Sequence, residues 1–334
     1  MFISMRGYNV NPLTIRVLHS LADGYFHSGS EIGDAIGVSR AAVWKQLQKL
    51  IDAGLDVECV KGKGYRLEGG FEFLNKGLIA SHLSVESSAA ISEIDLHSEI
   101  ESTNLQAMKR ISETSARGYL CLSEYQSAGK GRRGRDWVSP FGHNIYLSFV
   151  WEFDGGASQL EGLSLAVGVV VAEALNALGL EKVSLKWPND ILLNGRKLGG
   201  ILLEMSGDPA GVCQVVIGIG INVRMNKRHE IDQPWASIAE QLTEVSRNKL
   251  IADILNRLIP MLKEYGGSGF SSYQELWESL DAHRGRLVDI LSGNSSLEGV
   301  ASGVYANGAL RLSVEGIERP IYGGEVSLRV RDDS

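Results

Sequence analysis

The chain has 334 residues, too many for one compact core and enough for roughly two or three domains. Its 44% apolar and 22% charged residues exclude a mainly disordered chain, and a formal net charge of −7 excludes a nucleic-acid coat. Cys59, Cys121 and Cys213 are odd in number, far apart and without metal-ligand spacing, which argues against a disulfide framework and for a reducing cytoplasm.

Met1 to Val10 lacks the basic-then-apolar pattern of a signal peptide. Asn11-Pro12 is a cap-plus-first-turn signal, and Leu13, Val17, Leu18 and Leu21 follow at helical spacing. Ser28-Gly29-Ser30-Glu31 opens a second helix that Gly37 ends; Ser39 caps a third, with Val43, Leu47, Leu50 and Ile51 on one face. After Gly54 come two short strands, Asp56 to Val60 and Tyr65 to Leu67, joined by Lys61-Gly62-Lys63-Gly64. Three helices and a glycine-tipped hairpin in this order predict a winged helix-turn-helix over 1–68. From Ser39 to Arg66 six basic residues stand against three acidic ones, a basic module in an acidic protein that suits a polyanion. Arg40, Trp44, Lys45 and Gln48 fall on exposed helical positions suited to a major groove. Lys49, Lys61 and Lys63 suit phosphates.

Glu68-Gly69-Gly70 begins a linker over 69–75, and a mixed α+β region follows over 76–284. Its predicted strands are Ile91 to Leu96, Gly118 to Glu124, Ile145 to Trp151, Val183 to Lys186, Ile191 to Leu193, Leu198 to Met205 and Val212 to Val223. Its predicted helices are Thr103 to Ser112, Leu160 to Leu178 and Arg247 to Tyr265. The apolar run Leu160 to Leu180 is broken by Ser164, Glu173 and Asn176, so it reads as a buried helix rather than a membrane span. Asn194-Gly195 between two apolar runs predicts a hairpin. Over 285–334 short strands alternate with turns at Gly293-Asn294, Asn307-Gly308 and Gly323-Gly324, predicting a small β-barrel.

The residues that carry chemistry cluster in four places. Gly129-Lys130-Gly131-Arg132-Arg133-Gly134-Arg135 puts four cations and three glycines in seven residues after a strand. Glycines let backbone amides approach an anion, and Arg and Lys add charge and directional donors. The run lacks the Walker A pattern, and its composition alone equally suits a solvated basic loop or a nucleic-acid patch. Ser102-Thr103-Asn104 precedes an amphipathic helix, where it suits either simple capping or a small polar ligand. Lys186-Trp187-Pro188-Asn189-Asp190 sits between apolar strands, and its proline demands a bulge or turn, structural or ligand-binding. Arg196-Lys197-Leu198-Gly199-Gly200 follows the Asn-Gly hairpin, with glycines that permit close approach to a ligand.

In this order and spacing the segments resemble the biotin–protein ligases, and with the winged helix the bifunctional biotin ligase/biotin operon repressors. Ser39-Arg40-Ala41-Ala42-Val43, Gly218-Ile219-Gly220-Ile221-Asn222-Val223 and Gly323-Gly324-Glu325-Val326-Ser327-Leu328 extend the likeness over essentially the whole chain. A lipoate ligase shares the catalytic architecture, but the Gly-Lys-Gly-Arg-Arg-Gly-Arg run and the terminal barrel fit biotin better.

The resemblance implies a class II synthetase-like ligase domain and an SH3-like C-terminal barrel. It also implies formation of biotinyl-5′-AMP from biotin and Mg²⁺-ATP, then transfer to a lysine of a carboxylase's biotin carboxyl-carrier domain. It places Ser102, Thr103, Asn104, Gln126, Lys130, Gly131, Arg132 and Lys197 on biotin. Arg132, Arg135, Lys186, Asn189, Asn222 and Trp235 go to the nucleotide, and Lys197, Arg132 and Asp190 to catalysis. No protein motif for a metal is present; Asp190 is a candidate for positioning the incoming lysine or the Mg²⁺ that accompanies ATP. Ser39, Arg40, Trp44, Lys45, Gln48, Lys49, Lys61 and Lys63 would meet the operator of biotin-synthesis genes, as a homodimer when adenylate is bound. Two departures stand out. Lys130 occupies the first arginine of the family's Gly-Arg-Gly-Arg, and the segment from Asn222 to Trp235 is slightly shorter than the repressor's adenylate-ordering loop. The alternatives are a ligase without operator-specific repression, and a ligand-sensing transcription factor on an inactive ligase fold.

Overall fold

The computed structural model describes residues 11–52, 55–208, 210–225, 231–292, 295–324 and 326–330. Met1 to Val10, Gly54, the Gly293-Asn294 turn and Glu325 therefore lie outside the described residues.

Helix α1 (Pro12–Ser20) starts where the Asn11 side chain accepts the Thr14 amide at 2.9 Å. Helix α2 (Gly29–Ile36) carries a reciprocal Ser28–Glu31 capping box and ends at Gly37 in the left-handed region. Helix α3 (Arg40–Asp52) begins with the Ser39 hydroxyl accepting the Ala42 amide at 3.2 Å. The wing is the antiparallel pair β1 (Val57–Val60) and β2 (Gly64–Leu67). Val17, Leu18, Ile32, Val43, Leu47 and Leu67 close the core of this winged helix-turn-helix.

That core does not stop at the domain edge. It takes in Tyr125 and Phe141 of the central region, with Phe71 and Phe73 packed against it. Residues 69–75, expected as a linker, are bolted down rather than loose. Leu74 N donates to Glu124 Oε1 at 2.6 Å, Asn75 N to Asn248 Oδ1 at 2.7 Å, and Arg247 donates to the Glu72 carbonyl. Arg247 and Glu124, both buried, pair at 2.7 Å beneath this strap.

Two short helices that sequence periodicity does not reveal, α4 (Lys76–His82) and α5 (Val85–Ala90), lead to β3 (Glu93–His97). Then come α6 (Thr103–Glu113), β4 (Tyr119–Ser123), β5 (Asn144–Phe153), α7 (Leu163–Ala177), β6 (Val183–Lys186), β7 (Asp190–Leu193), β8 (Arg196–Gly207), β9 (Cys213–Asn222), α8 (Arg247–Ser268) and α9 (Gln274–Leu280). The strands form one sheet in the order β3-β4-β5-β9-β8-β7-β6, parallel only between β3 and β4. Helix α7 is buried along most of its length with α8 in the main core, with Glu173 and Asn176 exposed near its end, so a run long enough to cross a membrane belongs to the interior here. Helix α6 covers the opposite face through Ala107, Met108 and Ile111.

The C-terminal strands are β10 (Leu287–Ser292), β11 (Ser295–Val304), β12 (Leu310–Val314), β13 (Ile317–Ile321) and β14 (Val326–Val330). They pair antiparallel in the order β13-β12-β11-β10-β14. Where a small SH3-like β-barrel was expected, the strands form an open sheet: among the described residues no ladder joins β13 to β14. The backbone between them is engaged elsewhere, because the carbonyls of Gly323, Gly324 and Val326 point to the Arg132 guanidinium.

Candidate active site

A cavity of about 1000 Å³ opens on the face of the central sheet, roofed by the basic loop and by the near edge of the C-terminal sheet. Seven cations line it, Lys130, Arg132, Arg133, Arg135, Lys186, Lys197 and Arg329, against the carboxylates Asp136, Asp190 and Asp232. In a chain of net charge −7 this is a concentrated positive field.

One end is uncharged, apart from the Glu204 carboxylate behind it, and already hydrogen-bonded. Ser102 caps α6, which aims Thr103 and Asn104 at the sheet. Gln126 Oε1 accepts from Thr103 N at 2.8 Å and Thr103 Oγ1 at 3.2 Å, while its Nε2 donates to Ser139 Oγ at 3.0 Å. Ser148 on β5 reaches Thr103 Oγ1 at 2.8 Å and Asn104 Oδ1 at 2.6 Å, and Asn104 Nδ2 donates to Glu204 Oε2 at 2.7 Å. These side chains are held in fixed orientation before any ligand arrives. Two glycines of β9 make the room. A Cβ on Gly218 would stand 2.2 Å from Asn104 Oδ1, and one on Gly220 would stand 2.7 Å from the Trp137 ring.

At the other end the basic loop folds back on itself. Gly131 N donates to the Arg135 carbonyl at 2.7 Å and Trp137 N to the Gly129 carbonyl at 2.8 Å, with Arg133 at a φ of 59°. Arg132 leaves this loop to give Nη1 to Asn189 Oδ1 at 3.2 Å and Nη2 to the Gly324 carbonyl at 2.6 Å. Lys130, Arg133 and Arg135 are exposed at the mouth.

The Lys186–Asp190 segment is the tight turn of the β6–β7 hairpin, with a cis Trp187–Pro188 bond. Trp187 is buried and donates Nε1 to the Gly308 carbonyl at 3.1 Å, so its role is to dock the C-terminal sheet. Asn189 is fixed by Nδ2 donating to the Ile201 carbonyl at 2.8 Å. Lys197 Nζ lies 2.6 Å from Asp190 Oδ1 and 5.5 Å from the Trp137 ring centroid. Burial holds the Lys186 ammonium below its usual range, helped by Lys197, Arg135 and Arg329 and opposed by Asp190.

The structure thus brings Ser102, Thr103, Asn104, Gln126, Lys130, Gly131, Arg132, Arg135, Lys186, Asn189, Asp190 and Lys197 to one cavity. It does not bring Asn222 or the Trp235 side chain into the lining. Asn222 is buried, its Nδ2 donating to the Ala236 carbonyl at 3.1 Å, and Trp235 pairs by backbone with Lys197. Residues 231–234 line the cavity there instead. Sequence reasoning missed Trp137, Ser139, Ser148 and Glu204. The only signal for Ser148 is a single serine inside the apolar and aromatic run Ile145 to Trp151.

On the winged domain Arg40, Trp44, Lys45 and Gln48 are exposed along α3, and Lys61 and Lys63 stand at the wing tip. Lys49 is half-buried and Ser39 serves as the cap, while Gln48 Nε2 donates to Asp52 at 2.9 Å. The Trp44 ring sits 5.9 Å from Tyr65 of β2, so the helix and wing present one surface.

Comparison with known proteins agrees with this geometry. The Biotin/lipoate A/B protein ligase family model matches residues 97–222, and an HTH domain model matches 14–66. The bifunctional ligase/repressor BirA of Escherichia coli is 41% identical over 96% of this chain and 98% of its own length. That of Bacillus subtilis is 33% identical over 93% and 96%. The biotin protein ligase of Aquifex aeolicus, solved with biotin and ATP, superposes with a TM-score of 0.62 at 28% identity, covering 72% of this chain and all of that one. A cation-lined cavity on a mixed sheet, a winged helix-turn-helix ahead of it and a likeness that spans nearly the full length leave one assignment: the chain belongs to the family of bifunctional biotin–protein ligases and repressors.

Proposed function

We propose that the cavity binds biotin by its buried polar end and ATP by its cationic end, and that the chain then biotinylates a carboxyl-carrier domain. The observation that carries this is the division of one cavity into an uncharged network at Thr103, Gln126 and Ser148 and a remainder lined by seven cations. The ureido ring offers one carbonyl and two N–H groups, which need matched partners such as Ser102, Thr103 and Gln126. Asn104 and Ser139 steady that set.

The valeryl carboxylate then extends toward Lys197 and Lys130, past Gly131, where the absence of a side chain leaves room for it. One of its oxygens attacks the α-phosphorus, the bond to the bridging oxygen breaks and pyrophosphate leaves. Both reactants are anions, so fixed cations lower the barrier by screening charge as it crowds at phosphorus; Arg132, Lys197 and Arg135 supply this. Asp190, already paired with Lys197 at 2.6 Å, is the carboxylate that would hold a Mg²⁺ arriving with the triphosphate, and such an ion would screen the phosphate charge. Lys186 and Asn189 border the nucleotide end, and Asn222 and Trp235 act from behind by fixing the backbone at Lys197 and Ala236. In the second step a lysine amine attacks the acyl carbon, AMP departs with the bridging oxygen, and the nitrogen loses a proton.

The winged domain reads an operator of biotin-synthesis genes through Arg40, Trp44, Lys45 and Gln48, with Lys49, Lys61 and Lys63 on phosphates. One such domain covers a half-site, so repression requires a homodimer, which the adenylate favours. The work is cytoplasmic, where carboxylase and genes are both available. The deciding experiment incubates a biotin acceptor domain with biotin, Mg²⁺-ATP and the protein, and weighs it by mass spectrometry. A gain of one biotinyl group that disappears with Lys197→Ala supports the reading; an unchanged mass overturns it. Gel-shift affinity for the operator that biotin plus ATP leaves unchanged would remove the co-repressor role.

A further inference from the structure

Away from the cavity, the edge strand β3 places Asp95 and His97 two residues apart on one face of the sheet, and Asp95 pairs in register with Cys121 of β4. One carboxylate oxygen, one imidazole nitrogen and the Cys121 Sγ all lie within 4.8 Å of one another. The three cysteines show no ligand spacing along the chain, because these donors meet across a parallel strand pair rather than within one motif.

The chemistry of the set is that of a borderline-soft divalent ion. Zn²⁺ takes S, N and O donors at about 2.0–2.3 Å in a tetrahedron, which puts neighbouring donors roughly 3.5 Å apart. Closing the group onto an ion therefore needs only small side-chain rotations. His97 Nε2 is buried and, although 2.9 Å from Asp95 Oδ2, has no hydrogen bond of acceptable geometry. It is a buried nitrogen whose near neighbour is the Asp95 carboxylate, the oxygen donor of the set. Asp95 is supported in turn: the Tyr119 hydroxyl donates to its Oδ2 at 2.5 Å, the kind of outer contact that orients a ligating carboxylate. Arg110, on the same side, is occupied by Glu93 at 2.8 Å and lies over the Tyr119 ring. Because β3 is the outer strand of its sheet, an ion enters from solvent while Cys121 remains buried among Ala107, Val150 and Val216.

We propose that Asp95, His97 and Cys121 form a Zn²⁺-type metal site, with water in the fourth position. It ties the edge strand to β4 just ahead of the Ser102-Thr103-Asn104 segment. In the free site Cys121 carries its proton, as a thiol packed among the apolar side chains of Ala107, Val150 and Val216 does. Coordination forms the metal–sulfur bond and releases that proton to solvent, one per ion, with no change of oxidation state. The inference stands independently of what occupies the large cavity.

The test uses the full chain, stripped with a chelator and dialysed, with Co²⁺ as a visible probe and Zn²⁺ as competitor. Expected are one equivalent of Co²⁺ bound, a thiolate-to-cobalt charge-transfer band that Zn²⁺ abolishes, and release of one proton by titration calorimetry in two buffers. Zn²⁺ in ~100-fold excess over its Kd should also raise the melting temperature by ~5 °C. His97→Leu and Cys121→Ser should each lose the band, and Cys59→Ser should keep it. Because Cys121 is buried and its serine variant can fail to fold, the half-buried His97 variant decides alone in that event. Absence of the band from the unaltered chain, binding no tighter than millimolar, or a band that survives His97→Leu overturns the proposal.

Discussion

Lys197 Nζ rests 2.6 Å from Asp190 Oδ1, and both side chains are mostly withdrawn from solvent on adjacent strands β7 and β8. The pair fixes a cation at the middle of the cavity, over the Trp137 ring, where an isolated lysine would wander. Removing the ammonium with Lys197→Ala should lower the rate of adenylate formation by about 10²–10³-fold, the usual cost of losing one preorganised donor to a developing anion. Asp190→Asn should cost less, by roughly tenfold, since it loosens the lysine without deleting it. Pyrophosphate release measures both. Equal losses would mean that Asp190 acts on substrate directly.

Gly218 of β9 lies against the Asn104 side chain with no room for a Cβ. A methyl group there meets Asn104 Oδ1 at 2.2 Å, so Gly218→Ala must push Asn104 off Ser148 and Glu204. The KM for biotin should rise at least tenfold, equivalent to about 1.4 kcal/mol, with a smaller effect on the KM for ATP. Gly220→Ala, which drives into Trp137, should raise both constants because that ring borders both ends. Steady-state kinetics with each substrate varied separates the two; an unaltered biotin KM in Gly218→Ala would mean the network at Asn104 is not the biotin end.

Arg132 links the basic loop to the C-terminal sheet through Asn189 Oδ1 and the Gly323 and Gly324 carbonyls. Lysine can keep the charge but not this fork of donors. Arg132→Lys should therefore raise the KM for ATP by roughly tenfold and loosen the 323–324 backbone, read as faster amide exchange there, whereas Lys130→Arg at the exposed neighbouring position should stay within a few-fold of the unaltered rate. Unchanged exchange in Arg132→Lys would show that the C-terminal sheet docks without the arginine.

Much of this was legible along the chain because it depends on near neighbours. The Ser28–Glu31 capping box, the Asn194-Gly195 hairpin and the proline-enforced turn at 186–190 are local bargains between side chain and backbone, and each appears at its place. The basic loop and Lys197 follow for the same reason. What escaped depends on residues far apart in sequence. Ser148 and Glu204 reach Asn104 only after β5 and β8 are in register, Arg247 meets Glu124 across the fold, and residues 69–75 are ordered by side chains of α8. Helices α4, α5 and α9 are too short for a 3.6-residue period to declare itself. The small β-barrel was expected from strand spacing, which cannot tell whether the last edge is paired.

Asp281 and His283 join β6 to the C-terminal sheet, where the Ala282 amide donates to the Leu185 carbonyl at 2.9 Å. Burial pushes Asp281 up to about 6 from its ordinary 3.8 and holds His283 down to about 4 from its ordinary 6.5, with Lys186 adding to the latter. Their effects on stability oppose each other. Between about 4 and 6 the folded Asp281 binds its proton more tightly than the unfolded chain, so its contribution falls as pH rises. Between about 4 and 6.5 the unfolded His283 is the better base, so its contribution rises with pH. The two should nearly cancel across this window. Asp281→Asn should make the melting temperature climb with pH by roughly a few degrees more than in the unaltered chain, and His283→Leu should make it fall. Parallel profiles for all three would show that neither group titrates in this range.

On the winged domain, phosphate contact and base contact leave different signatures in salt. Lys61 and Lys63 are exposed at the wing tip, and Lys63 Nζ already hovers 5.7 Å from the Phe26 ring, which holds it near the surface that α3 shares. Each phosphate neutralised contributes about 0.9 to the slope of log K against log salt. Lys61→Ala with Lys63→Ala should therefore flatten that slope by about 1.8 and weaken specific and non-specific duplexes alike. Trp44 carries no charge, is 45% exposed and leans on Tyr65. Trp44→Ala should leave the slope unchanged while narrowing the gap between operator and random duplex by about 1–3 kcal/mol, the scale of one good base contact. Fluorescence anisotropy over a potassium chloride series reads both quantities from the same samples. A slope that drops with Trp44→Ala, or stays fixed when both lysines are gone, would mean that the wing does not hold phosphates and the helix does.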